Sequence, residues 1–383
     1  MKISKVVSNI PASPTLSITA KVKELRAQGK DVIGFGAGEP DFDTSDSIKH
    51  AAIEAIRSGN TKYTPVGGTP ELKEAVCATI SADYGLNMTP DNVIISCGAK
   101  HSLYNLFLTL FEEGDEVICP SPYWVSYPPI IEIAGAMPVI VDMQDTGMKL
   151  TAESVKKAIT KRTRGIIINS PSNPTGMIYE RKELEKIAEL CIENDIVIIS
   201  DDIYQKIIFD HAEFFSIATI SPEVAARTFI INGASKSYAM TGWRIGYCVG
   251  DPGVIKAMTR LQSQSTSNPT SFAQEGAIES LRGDQTHVEE RRIIFEKRRG
   301  LIVSKIREIP GFSIVPPEGA FYSFPSIKGL LDRFGNAQTL AEYLLEKALV
   351  AVVPGEGFGT SEHVRISFAT SEENIINGMD RIR

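Results

Sequence analysis

Lys236 stands in the run Asn232-Gly-Ala-Ser-Lys-Ser-Tyr-Ala-Met-Thr-Gly-Trp-Arg244, a single lysine among small and hydroxylated residues with an arginine eight positions on. A lysine that must react as a free amine, or carry a Schiff base, needs partial desolvation and a nearby cation to lower its pKa. Arg244 is spaced to be that cation or to hold a phosphate. The apolar run Thr228-Phe-Ile-Ile231 reads as a buried strand. Lys236 therefore falls just past a strand's carboxyl end, the edge at which open α/β sheets bind ligands.

Two further strand ends deliver polar residues: Asn173 in Ser172-Asn-Pro-Thr-Gly176, and Asp201 in Ser200-Asp-Asp-Ile-Tyr204. Taken singly, Asn-Pro-Thr-Gly is an ordinary turn and an aspartate after a strand an ordinary helix cap. At matching topological positions beside Lys236, they read as parts of one site.

The elements that must carry them alternate strand and helix. Asn92-Val-Ile-Ile-Ser96 is followed by Leu103, Leu106, Phe107, Leu110 and Phe111 at helical spacing. Gly165-Ile-Ile-Ile-Asn169 is followed, after a turn, by Leu184, Ile187, Ala188, Cys191 and Ile192. Ile196-Val-Ile-Ile-Ser200 and Thr228–Ile231 complete the series. Such alternation predicts an α/β fold with a mostly parallel sheet covered on both faces. The pattern breaks at Arg282-Gly-Asp-Gln-Thr, before a charged helix from Glu289 to Arg299. Short strands are expected at Phe312-Ser-Ile-Val-Pro316, Ala320-Phe-Tyr-Ser-Phe324 and Val364–Ala369, forming a smaller α+β lobe joined by the chain's start. The expected division is 1–40 for an N-terminal arm and part of the small domain, 41–285 for the large domain, and 286–383 for the small C-terminal domain. A cleft between the two would hold the ligand.

Composition narrows the function. At 383 residues the chain exceeds what one core usually serves. Lys and Arg number 40 against 47 Asp and Glu, interspersed, with a net charge of −7, which argues against nucleic acid or an anionic membrane as partner. Five scattered cysteines without a CxxC pair read as buried free thiols in a reducing cytosol. With no secretory or membrane-spanning apolar run, a soluble cytoplasmic protein is expected. Gly34-Phe-Gly-Ala-Gly38 lacks the third glycine of a dinucleotide fingerprint, and Gly233-Ala-Ser-Lys236 lacks P-loop spacing. The five histidines are far apart and no HExxH occurs, so no metal is expected.

The strand-end residues, with Gly38-Glu-Pro-Asp-Phe-Asp-Thr44, Tyr63-Thr-Pro65, Gly98-Ala-Lys100, Pro122-Tyr-Trp124, Arg244 and Arg365, resemble the pyridoxal-phosphate enzymes of fold type I. More closely, the chain resembles the class I aminotransferases of the aspartate aminotransferase type, prokaryotic subgroup, essentially end to end. The resemblance implies a large cofactor-binding domain with a mostly parallel seven-stranded sheet sandwiched by helices, plus the smaller α+β domain. It implies pyridoxal 5′-phosphate as cofactor, carried on Lys236. Asp201 would then keep the ring nitrogen protonated, Asn173 and Tyr204 would bond the 3′ oxygen, and Trp124 would stack on the ring. The phosphate would meet backbone N–H groups of Gly98, Ala99 and Lys100 at a helix start, the Ser235 hydroxyl and the Arg244 guanidinium. Tyr63 and Ser267 resemble contacts supplied by a neighbouring subunit, which implies a homodimer with shared active sites. Arg365 resembles the clamp for a substrate α-carboxylate, aided by the Gly38 N–H, with Trp124 and Asn173 also touching substrate.

The reaction so implied is a ping-pong transamination between an L-amino acid and a 2-oxo acid, with Lys236, Asp201 and Tyr204 as its catalytic residues. Specificity is less legible. The second arginine that other branches of the family use for a side-chain carboxylate is Ser263 here. Lysines that some prokaryotic members use instead correspond to Pro11 and Leu108, leaving Ser13 and Thr15 as polar candidates. Asp202 replaces a more usual glutamate. Aspartate or glutamate is the expected donor; an aromatic or broad range, or a β-elimination lyase on the same fold, stays open.

Overall fold

The centre of the computed structural model, which describes every residue except Ser13, is a seven-stranded sheet. Its strands are β1 (Val93–Ser96), β2 (Glu116–Ser121), β3 (Met137–Asp142), β4 (Thr163–Asn169), β5 (Val197–Asp201), β6 (Thr228–Gly233) and β7 (Gly246–Val249). They lie in the order β1-β7-β6-β5-β4-β2-β3. β7 runs antiparallel to both its neighbours, and every other pair is parallel.

Successive side chains of a strand point to opposite faces, so a run that is apolar at every position must be covered twice. Ile94, Ile167, Ile199 and Ile231 pack with Leu103, Leu106 and Phe107 of helix Ala99–Leu110 and with Ile255 and Met258 of helix Pro252–Ser263. Their chain neighbours turn the other way. Ile166, Ile168 and Ile198 meet Leu184, Ile187 and Ala188 of helix Arg181–Glu193, while Ile95 and Ile230 meet helices Pro70–Tyr84 and Ser271–Arg282. The polar residues that end β4 and β5 are thereby held at one sheet edge by two layers of packed apolar side chains.

A separate apolar cluster gathers Phe295, Ile302 and Ile306 of helix Thr286–Arg307 with Tyr322, Ile366 and Phe368, and it includes Ile33 and Phe35 from the start of the chain. Ile33–Gly34 pairs in parallel with Val350–Ala351. Val353–Pro354, Val364–Ser367 and Tyr322–Ser323 form a three-stranded antiparallel sheet in that order. Tyr204, Ile207 and Phe209, which follow β5, belong to this second cluster. The loop after Asp201 is therefore fixed by both cores.

Some expectations need correction. Phe312–Pro316 forms no strand; one bridge joins Ser313 to Ser326, because Pro316 and Pro317 have no N–H to extend a ladder. The charged helix is longer than read, Thr286–Arg307. All five cysteines are free, but only Cys119, Cys191 and Cys248 are buried, and Cys77 and Cys97 are half-buried. Among the described residues, no helix is long and apolar enough to cross a membrane.

Candidate active site

Three adjacent parallel strands end in register at one edge: Asn169 of β4 lies beside Asp201 of β5, which lies beside Ile231 of β6. Asn169 does two jobs there. Its Nδ2 donates to the Asp201 carbonyl at 2.9 Å, and its Oδ1 accepts the Asn173 N–H at 2.9 Å, drawing the Asn-Pro turn over the strand ends. The Asp201 carboxylate accepts from Tyr127 Oη at 2.6 Å and from the Ile203 N–H at 3.4 Å. Burial pushes this carboxyl up to about 6, and these two hydrogen bonds and the nearby Lys236 act against that rise. A buried carboxylate at the strand edge is thus left favouring a cationic partner.

Lys236 follows the end of β6 and sits partly buried, its Nζ donating to the Gly38 carbonyl at 2.6 Å. Burial above all pushes its amine down to about 8. Glu39 opposes that, while Arg365 and Arg244 reinforce it. Arg244 therefore acts in the direction of the first role its spacing allowed, that of a cation near the lysine. Glu39 is tied back to the lysine's own loop, its Oε2 accepting from Thr241 Oγ1 at 2.7 Å.

Arg365 lies on Val364–Ser367 and is 2% exposed. Its Nη1 donates to Asn173 Oδ1 and its Nη2 to the Gly36 carbonyl, both at 3.0 Å. The guanidinium carbon lies 4.4 Å from the Tyr322 ring centre and 5.0 Å from that of Phe358. Neutral acceptors and aromatic faces surround it, and its Nε is buried without a partner. Burying an ion costs several kcal/mol unless an opposite charge offsets it. A guanidinium held this way favours an anionic partner. Beside it, Tyr204 and Tyr322 share a hydroxyl–hydroxyl bond of 2.9 Å.

On the other side, Gly98 precedes helix Ala99–Leu110 with φ +90, a backbone shape that suits glycine. A Cβ there would stand 2.3 Å from Arg244 Nη2. The exposed Arg244 guanidinium thus lies directly over the helix start, donating to the carbonyls of Thr241 at 2.8 Å and Cys97 at 3.2 Å. Lys100 Nζ lies 4.8 Å from the Trp124 ring centre, and Trp124 meets Tyr127 edge-on at 5.3 Å.

Gly38, Ala99, Lys100, Trp124, Asn173, Asp201, Tyr204, Ser235, Lys236, Arg244 and Arg365 all line one cavity of about 380 Å³, with Gly98 underlying it beneath Arg244. Thr15 also reaches it, from helix Pro14–Ala27. Tyr63 and Ser267 do not; Tyr63 is 91% exposed. Ser263 and Pro11 are exposed, Leu108 is half-buried, and none of the three lines the cavity. Ser13 lies outside the described residues. Sequence reading missed Tyr127, Asn169, Glu39, Thr241 and Tyr322. Asn169 was visible as the polar end of an apolar run, and Tyr127 stands three positions past Trp124; Tyr322 sits in an apolar run with nothing to mark it.

A seven-stranded, mostly parallel sheet with a lysine beyond one strand end and a buried aspartate on the next is the architecture of the pyridoxal-phosphate enzymes of fold type I. Residues 30–382 match the family model for aminotransferases of class I and II, and the chain belongs to that family. Its chemistry is the transfer of an amino group between an amino acid and a 2-oxo acid, with pyridoxal phosphate as cofactor. The chain is 51% identical over 386 residues to an aspartate aminotransferase of Geobacillus stearothermophilus, covering 100% of this chain and 98% of the relative. It is 50% identical over 380 residues to a probable aspartate/prephenate aminotransferase of Aquifex aeolicus, covering 98% and 96%. Among solved structures, the aspartate aminotransferase of Thermus thermophilus with maleate superposes with a TM-score of 0.95 at 41% identity, covering 100% of this chain and 98% of the other.

Proposed function

We propose that the amino donor is L-aspartate, and that Lys236, Asp201 and Arg365 do the central work of the transfer. The observation that carries the substrate reading is full-length identity near one half to proteins named for aspartate. The Thermus relative was solved with maleate, a four-carbon dicarboxylate like aspartate. Two anion sites are required of such a pocket. Arg365, a buried cation with no carboxylate on it, suits the α-carboxylate, and Lys100 Nζ with the Thr15 and Thr19 hydroxyls are the groups left for the distal one.

The residues present fit pyridoxal phosphate. Gly98 leaves room for an anion between the helix start and the Arg244 guanidinium, where N–H groups and dipole favour it. Asp201 offers a buried carboxylate to a ring cation, Asn173 and Tyr204 stand near it, and Trp124 supplies an aromatic wall. When bound, the cofactor supplies an aldehyde that condenses with amines and a ring that accepts the electron pair released at the substrate α-carbon. The chain's own residues then have distinct tasks. Arg365 fixes the carboxylate, and with it the direction of the Cα–H bond. Lys236 Nζ, with its pKa near 8, takes the α proton and gives one back. Asp201, held by Tyr127 and Asn169, keeps a cation stable beside it while charge develops.

Exposed Tyr63 and half-buried Ser267 act, in this reading, in the site of a second copy, making the enzyme a homodimer. The division at about residues 40 and 285 is retained on the two apolar clusters, and a cytoplasmic location on the five free thiols. Prephenate as an acceptor is favoured by the relatives named for it and by the cavity's apolar side, Leu16, Leu103 and Val125. The test mixes cofactor-loaded enzyme with aspartate, glutamate or phenylalanine singly and follows the cofactor's absorbance. Aspartate is expected to convert it fastest. Faster conversion by phenylalanine would overturn the donor assignment.

A further inference from the structure

Two glutamine side chains, Gln262 and Gln274, are fully buried, with 0% exposure each, and neither lines the cavity described above. A buried amide costs free energy unless its donors and acceptor are used. Both amides are saturated, and the partners they choose are informative. Gln262 Nε2 donates to the Val66 carbonyl at 2.7 Å and to the Ile95 carbonyl at 2.9 Å, and its Oε1 accepts from Asn105 Nδ2 at 3.0 Å. Gln274 Nε2 donates to Thr64 Oγ1 and to the Pro269 carbonyl, both at 3.0 Å, and its Oε1 accepts the Thr69 N–H at 2.9 Å.

Every one of those contacts but the two to Asn105 and Ile95 falls on two short stretches, 64–69 and 269. Each lies within two positions of a residue read above as reaching a neighbour. Tyr63 immediately precedes Thr64, and Ser267, at φ +61 and two positions before Pro269, donates its N–H to the main-chain carbonyl of Gln262 at 3.0 Å. The Gly67 carbonyl also accepts the Ile95 N–H at 2.9 Å, so this stretch closes the free edge of β1. At Gly68, with φ +102, a Cβ would stand 2.3 Å from Ile95 Cγ1, so no larger residue sits as close to the strand. The result is an exposed tyrosine on a segment with a rigidly held base.

We propose that Gln262 and Gln274 are positioning residues that act across the subunit boundary, holding the segments of Tyr63 and Ser267 in the shape a second copy of this chain takes into its cofactor pocket. The inference rests on reading Tyr63 and Ser267 as a neighbour's contacts. Pre-forming the segment removes an ordering cost that would otherwise weaken the cofactor's hold in the neighbouring site. A glutamine acting only on its own chain's fold would instead affect its own pocket.

Hybrid dimers, made by co-expressing two differently tagged chains, separate these cases. In both arrangements one chain carries Lys236→Ala, so the absorbance of cofactor bound at Lys236 reports a single pocket, and titration gives its affinity without any turnover. With Gln274→Met on the Lys236→Ala chain, the reporting pocket receives the altered chain's Tyr63, and its affinity for pyridoxal phosphate should fall about tenfold. With Gln274→Met on the other chain, the pocket's own chain is altered but its neighbour is intact, and affinity should match the unaltered hybrid. Equal weakening in both arrangements, weakening only in the second, or none in either would overturn the proposal. Gln262→Met should repeat the pattern. Should both variants fail to fold, Thr64→Val removes the hydroxyl that Gln274 Nε2 meets and should give a smaller fall in the first arrangement alone; no such fall would count against the proposal. Tyr63→Phe in the same two arrangements tests the underlying dimer reading. If its effect follows the pocket's own chain, that reading fails and takes the proposal with it; if it acts from the neighbour while Gln274→Met does not, the proposal alone fails.

Discussion

The strand-end wall of the cavity and the outward segment around Tyr63 solve the same problem, fixing a polar side chain precisely, in opposite settings. At the wall, Asn169, Asp201 and Lys236 leave adjacent strands whose isoleucines are packed on both faces, and their functional atoms are sheltered by the same chain. Burial there does chemistry, pushing the Lys236 amine down to about 8 and the Asp201 carboxyl up to about 6. Around Tyr63 the backbone is equally well held, by Gln262 and Gln274, yet the side chain projects into solvent. Desolvation tunes the first region, and on the proposed dimer reading a partner surface completes the second.

Substitutions can break this contrast in graded steps. On the proposed roles, Lys236→Ala removes the base and the cofactor's attachment together, and turnover should fall by at least about 10⁴-fold in initial-rate assays. Asp201→Asn keeps the shape of the wall but removes its charge, with an expected loss of about 10³-fold in kcat. A loss under tenfold would mean that the buried carboxylate is structural. Tyr63→Phe leaves the wall untouched and should weaken cofactor retention on dialysis by about tenfold while the Lys236 pocket keeps its fold. The smallest effect concerns pH. Because the Lys236 amine must be neutral to capture an aldehyde, capture of pyridoxal phosphate by the cofactor-free protein should rise with pH and level off above about 8. Glu39 holds that value up, so Glu39→Gln should move the midpoint to lower pH, and only slightly given the residue's exposure to water. A shift to higher pH would contradict the assigned influence of Glu39.

The wall was legible in sequence because its physics is local. An apolar run long enough for one strand, ended by Asn, Asp or a lysine after glycine and serine, announces both the strand and what stands at its end. Tyr204 and Arg365 could be named from the family's motifs, but their neighbours could not. Tyr322 faces Arg365 and Tyr204 from a strand distant in sequence, and nothing in Ala320-Phe-Tyr-Ser-Phe324 marks its hydroxyl as useful. The same holds for Glu39 and Thr241, joined across 202 positions of chain. Strands β2, β3 and β7 escaped notice because prolines (Pro120, Pro138) or glycines (Gly246, Gly250) blur their runs. Phe312–Pro316 misled in the opposite sense, an apolar run whose prolines leave it without a ladder. The two glutamines carry no signal at all, since a polar residue on a helix reads as solvated until its surroundings are known.

The strand-end wall is proposed to move an amino group from a donor to the cofactor and keep it there. A single-turnover experiment mixes cofactor-loaded enzyme with L-aspartate in the absence of any 2-oxo acid and measures products per site. One oxaloacetate per site, no free ammonia, and recovery of the amino group as amino acid only after a 2-oxo acid is added is the predicted result. Release of free ammonia without that addition would contradict it.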